Sequence, residues 1–291
     1  MNLQWTSSIN VSAFHTAWCW AHYPDRVLQL PDELRSAAEE LNQLVVGLPG
    51  STTTRFWDQL LTLSASVENS AQLADRLCNR LGLTVAVFQP KLAASLYRCR
   101  SQFEKAYPNY TAEMILRTGP LRQLWDGCGA GLLRLIGQTI GEQMLVEESQ
   151  IVLVQPLMAG MGYAHLSTNR IHLEALLTNA IPQLPESLRM AWLLSQLDLD
   201  RPVTSELINT HRLCSVAGLG MLPVVLTAGE ELELCHYSPQ LVTQAIEYWY
   251  VESLQLDAST ASAVVTAWWE AFQDSRPTWR IALTGLDQML Q

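Results

Sequence analysis

QIVLVQPLMAGMGYAHLSTNRIHLEALLTNAIPQLPESLRMAWLLSQLDLDRP, from Gln150 to Pro202, is the stretch on which the fold turns. Ile151 to Leu157 has the length and apolar content of a buried strand. Between Arg170 and Leu177 a strand would send Ile171, Leu173, Ala175 and Leu177 to one face. Arg170, His172, Glu174 and Leu176 would take the other, whereas a helix would scatter both sets. With Gly160 and Gly162 between the two runs, the pattern predicts an antiparallel hairpin or small sheet over residues 150–177.

Pro185 suits the first position of a helix and Glu186 its positive end. The helix predicted over residues 186–199 is apolar nearly all round, with Glu186, Arg189 and Gln196 as a thin polar line. Such a helix belongs inside a domain. A polar strand face opposite it predicts a buried pairing of Glu174 with Arg189, read first as an ion pair that fixes strand against helix. The alternative reading is a carboxylate beside a histidine at an active site.

Length and charge narrow the field. A chain of 291 residues buries a sizeable core, and no linker divides it, so one large domain is expected, with a weak seam near residues 140–150. Net charge is −10, and after Gly229 nine acids face only Arg276 and Arg280. Phosphate backbones and anionic lipid surfaces are held by Lys and Arg, so no nucleic acid and no membrane surface is expected as partner. Only Lys91 and Lys105 are lysines, which leaves little room for Schiff-base chemistry. The N-terminus lacks the basic and apolar regions of a signal peptide, and the longest apolar runs, near Leu219–Ala228, fall short of a membrane span. Six cysteines without C-x-x-C read as reduced thiols, and the expected location is cytoplasmic.

Elsewhere the pattern is helical. Val11 to Trp20 as a helix would place His15, Cys19 and His22 on one face, a spacing a metal could use, but three donors from one short helix are too few for a structural site. Helices are predicted after Pro31, over residues 53–67, from Ser70 to Gly82 and over residues 91–106, with a β-like run at Leu83–Phe88. Thr111 to Ile140 reads as helix interrupted at Gly119-Pro120 and at Gly127-Cys-Gly-Ala-Gly131. Those glycines form a loose G-x-G-x-G, but a phosphate site needs a strand before it, so a tight interhelical turn is expected. Further helices are predicted over residues 205–217, 219–231, 239–253 and 259–272, with Trp268, Trp269 and Trp279 pinning the last one. His211 with Cys214 and Cys235 with His236 are metal-capable pairs that read better as core or loop residues. No metal and no cofactor is expected.

Gly119-Pro-Leu-Arg122, Trp125, Leu132-Leu133, Asn169, Glu174-Ala175, Leu184-Pro-Glu186 and Arg189-x-Ala-Trp-Leu-Leu194 resemble an uncharacterised family of bacterial proteins of the planctomycete type. The resemblance covers the C-terminal 180 or so residues. It implies a bacterial origin and assigns no activity and no site residue.

The fold expected is α+β, predominantly α-helical. There is no G-x-S-x-G, no H-E-x-x-H and no P-loop. Ten tryptophans and an acidic C-terminal region favour a non-catalytic interaction or scaffold protein with a protein partner. The alternative is a hydrolase-like enzyme, or an inactive descendant, with Glu174 as general base, His165 and His172 beside it and Arg189 as electrostatic stabiliser. A small-molecule sensor with a pocket lined by the central helix is the second alternative.

Overall fold

The computed structural model describes residues 1–27, 29–83, 85–166, 168–197 and 204–291. Among them are eleven α-helices and four strands, so the α+β, mainly helical expectation holds. Contacts divide the chain into two compact units. Unit 2 comprises Trp5–Thr118 with Ile151–Met158; unit 1 comprises Met1–Gln4, Gly119–Gln150 and Ala159–Gln291.

The strands β1 (Asn2–Ser7), β2 (Glu148–Val154), β3 (Gly162–His165) and β4 (Arg170–Glu174) form one sheet in the order β1-β2-β4-β3. It is mixed, where an antiparallel sheet was expected. Asn2 N–H donates to Glu147 O at 2.7 Å, and four residues on Thr6 Oγ1 lies 3.4 Å from Ile151 O, so β1 and β2 run the same way. β3 and β4 are antiparallel, with Tyr163 opposite His172 and His165 opposite Arg170.

The expected hairpin from Ile151–Leu157 to residues 170–177 is therefore replaced by a β3–β4 hairpin. Asn169, at φ 46°, takes the left-handed conformation near its turn. Gly160 and Gly162 are glycines for want of room instead. A Cβ on Gly160 would lie 2.2 Å from Tyr248 O, and one on Gly162 would lie 2.6 Å from Leu193 Cδ1.

Unit 2 is built on α1 (Ile9–His22), which the Ser8 hydroxyl caps by accepting from Val11 N–H. Around it pack α2 (Asp32–Val46), α3 (Gly50–Ser64) and α5 (Val85–Ala106), with α4 (Ser70–Leu81) against α3 and α5. Phe14, Leu41, Phe56, Leu77, Leu96 and Val152 belong to one continuous core. Asn69, not Ser70, caps α4, and Gly82 ends it at φ 65°. The β-like run at Leu83–Phe88 is corrected: Val85 onward is the first turn of α5, and Pro90 sits inside that helix. Its two valines favour a strand locally, but tertiary context overrides so short a preference.

α6 (Tyr110–Ile140) runs unbroken through both expected interruptions. Gly129 is there because the Trp125 ring folds back over it, 2.2 Å from where a Cβ would be. The G-x-G-x-G is thus part of a helix and not a loop.

In unit 1, α7 (Glu186–Leu194) is shorter than the helix predicted to residue 199, and residues 198–199 lie outside the described residues. All nine of its residues are buried, as its all-round apolar character requires. The two helices predicted over residues 205–217 and 219–231 are one, α8 (Thr210–Glu231), with Pro223 inside it. Its segment His211–Glu231 is long and apolar enough to cross a membrane by composition, contrary to the expectation from the shorter run, but 83% of the apolar window is buried in the protein. α9 (Pro239–Tyr248), α10 (Ala258–Ser275) and α11 (Trp279–Met289) complete the unit. Trp268 Nε1 donates to Ala282 O at 2.8 Å and its ring meets Trp279 edge-on, so the tryptophans do pin the last helix.

Candidate functional site

Alternation along β3 and β4 places Tyr163, His165, Arg170, His172 and Glu174 on one face of the hairpin. Glu174, His165 and Arg189 are fully buried, and His172 is 1% exposed. His165 Nε2 and His172 Nδ1 are hydrogen-bonded at 2.9 Å, so of those two nitrogens one carries the proton and the other accepts it. Tyr163 stacks on His172 at 6.1 Å. Arg170 donates from Nε to Gln150 Oε1 at 2.6 Å, and burial pushes its guanidinium below the usual arginine value.

Glu174 does not meet Arg189 carboxylate to guanidinium. Its Oε2 accepts from the main-chain N–H groups of Gly160 at 2.9 Å and Met161 at 3.2 Å. Arg189 donates instead to the carbonyl of Met161 at 2.6 Å and to the main-chain carbonyl of Glu174 at 2.8 Å. Its carboxylate partner is Glu186, one turn back on α7, reached from Nε at 3.0 Å and also from Nη2. The expected ion pair is corrected accordingly. The two amides at Gly160 and Met161 take up Glu174 Oε2, while Glu186 lies within helical reach of the guanidinium.

Asn179 closes the network. Its Nδ2 donates to Glu186 Oε1 at 3.0 Å and to Leu184 O, and its Oδ1 accepts from Ile181 N–H at 2.9 Å. Sequence reasoning missed Asn179 and the main-chain groups of Gly160 and Met161. The i, i+3 spacing of Glu186 and Arg189 in an apolar helix was the available signal for their pairing.

Chemically, the arrangement is a clasp. Glu174 N–H donates to Met161 O at 3.0 Å, so residues 161 and 174 form the open end of the hairpin. The Glu174 carboxylate gathers the turn before β3, and Arg189 ties both carbonyls at that end to α7. A general base has to reach substrate or a water, and these groups lie away from solvent.

Of the other predicted donors, His15 and Cys19 meet in the interior of unit 2, Sγ to Nε2 at 3.4 Å. His22 is exposed and bonds Trp18 O at 2.8 Å, so the three do not form one set. His236 is exposed and pairs with Glu230 at 2.7 Å, while Cys235 donates to Leu226 O at 3.4 Å. All six cysteines are free. Comparison with family models, with curated proteins and with solved structures finds no match.

Proposed function

We propose that the chain is a non-catalytic interaction or scaffold protein of a bacterial cytoplasm, acting through a protein partner. One feature of α6 carries the reading. Ala112, Ile115 and Leu116 stand at i, i+3 and i+4, the spacing of a helix's buried stripe, yet all three are exposed, Ile115 by 69% and Leu116 by 71%. The same helix has an ordinary inward side, with Tyr110 and Met114 at 4% and 0%. It is thus apolar on two faces, and the second is open to solvent. Single exposed apolar residues need no explanation, but neighbouring ones on one helical stripe fit a partner surface. The tryptophans do not form that surface, because seven of the ten are buried. The burial and internal bonding of His165, His172, Glu174 and Arg189 weigh against the hydrolase reading.

A double variant, Ile115→Ser with Leu116→Ser, tests this. Both positions face solvent, so the thermal midpoint stays within a degree or two. Each large aliphatic side chain buried in a complex contributes about 1.5–3 kcal/mol, so a partner recovered with the native chain should be lost from the variant by tenfold or more. Equal recovery of every partner by both proteins, quantified by mass spectrometry, would remove the support.

A further inference from the structure

The four-stranded sheet has two edges, and they differ. β3, at one edge, is four residues long, with Gly162 and His165 buried. β1, at the other, is six residues long, Asn2-Leu-Gln-Trp-Thr-Ser7, with no charged residue and no proline. Edge strands are ordinarily kept from pairing by charge, proline or shortness, and β1 has none of these.

The main chain of β1 is half used. Asn2 N–H donates to Glu147 O, so alternation turns the N–H and C=O groups of Asn2, Gln4 and Thr6 toward β2. Those of Leu3, Trp5 and Ser7 point away, and among the described residues no main-chain group outside the sheet bonds to them. The side chains alternate as well. Leu3 and Trp5 are half-buried on one face, while Asn2, Gln4 and Thr6 are exposed on the other.

We propose that β1 pairs antiparallel with β1 of a second copy of this chain, about a two-fold axis at Gln4. That register sets Leu3 opposite Trp5 of the other copy and Asn2 opposite Thr6, so apolar meets apolar on one face and polar meets polar on the other. It also brings outward-pointing groups together, so that each Leu3–Trp5 pair exchanges both of its N–H···O bonds, with Gln4 beside Gln4 as the non-bonded pair on the axis. An axis at Trp5 instead would set Leu3 against the exposed Ser7 and lose that match. The strand brings no carboxylate against another, which matters for two chains that each carry a net charge of −10. One two-fold contact covers both edges at once and leaves none for further growth, which a foreign strand would not do. A pairing this short is well below the usual interface of about 1,600 Å², so the dimer is weak, with a Kd on the order of 10 µM. The edge is separate from the exposed stripe on α6, and its test does not depend on that reading.

Sedimentation velocity on the full chain, from about 1 to about 100 µM, should show a reversible monomer–dimer equilibrium. Leu3→Pro removes an outward N–H and spares the bonds to β2, so it should weaken the dimer at least about tenfold. Gln4→Cys places two thiols on the axis with Cα atoms about 4.5 Å apart, and glutathione disulfide should crosslink them. Thr6→Cys, equally exposed but about 13 Å from its equivalent in the other copy, should not crosslink above the native chain. The cysteine pair keeps the register open to test if the proline variant fails to fold. Ile115→Ser with Leu116→Ser should leave the dimer intact. A chain that stays monomeric at about 100 µM would overturn the proposal and leave the edge to a foreign strand. So would a dimer indifferent to Leu3→Pro, equal crosslinking of the two cysteine variants, or a dimer lost with the α6 stripe.

Discussion

A buried guanidinium needs acceptors for its donors, and Arg189 finds them in Glu186 and in the carbonyls of Met161 and Glu174. Removing it leaves the buried Glu186 carboxylate without its cation, while the two carbonyls keep the N–H groups of Glu174 and Leu176, so Arg189→Leu should cost about 3–5 kcal/mol of unfolding free energy. Adding Glu186→Leu takes the orphaned charge away and should return part of that loss. Urea denaturation of the single and double variants measures both. A single variant within about 1 kcal/mol of the native chain would mean that the clasp does not hold the hairpin to α7. Sequence made the participants visible, since Glu174 and Arg189 stand out as charges in an apolar stretch, but not the geometry. Which atom of Glu174 the arginine meets depends on two main-chain amides at Gly160 and Met161, and main-chain groups carry no sequence signal.

Glycine in α6 shows the same limit at the level of an element. Four glycines between Gly119 and Gly131 read as breaks, because each lowers helix propensity by about 1 kcal/mol relative to alanine. The helix continues regardless, and its glycines differ in what surrounds them. Gly127 has no atom within 4 Å of a would-be Cβ, whereas Gly129 lies under the Trp125 ring. Gly127→Ala should therefore stabilise the protein by about 0.5–1 kcal/mol, through the restricted unfolded chain and the better helix former. Gly129→Ala should destabilise it, because Trp125, 6% exposed, has to leave its site. Were residues 127–131 a loop, the two substitutions would not separate in this way, and thermal melts of both variants make the comparison. Helices with one clear apolar face, such as α2 with Leu34, Ala37, Ala38, Leu41 and Val45 buried, were legible from periodicity alone. The strand β1 and the start of α5 were not, for their short segments carry no periodic signal to set against tertiary context.

For the molecule as a whole, composition foretold a large core, and it holds most of the tryptophans and several groups that ionise only at high pH. Burial pushes the Cys99 thiol up to about 12 from an ordinary 9.0, and the Tyr110 hydroxyl up to about 12 from 10.0. Cys235 is raised to about 11 by burial and by the neighbouring Glu230. A raised folded-state value means that the unfolded chain gives up its proton first. The stability these groups contribute is thus whole below the unfolded value, near pH 9 for the thiols and 10 for the tyrosine, and is lost as pH climbs through 11 to 12. A tenfold change in acidity corresponds to about 1.4 kcal/mol, so Cys99 alone ties about 4 kcal/mol to its remaining a neutral thiol. The urea midpoint should accordingly be flat across neutral pH with respect to these groups and fall steeply from about pH 9 upward. Cys99→Ala should remove about one proton from the slope between pH 9 and 12, at the cost of a small cavity within the core of unit 2. If that variant keeps the native slope over the interval, Cys99 ionises as readily folded as unfolded, and the closed interior around it would have to be redrawn.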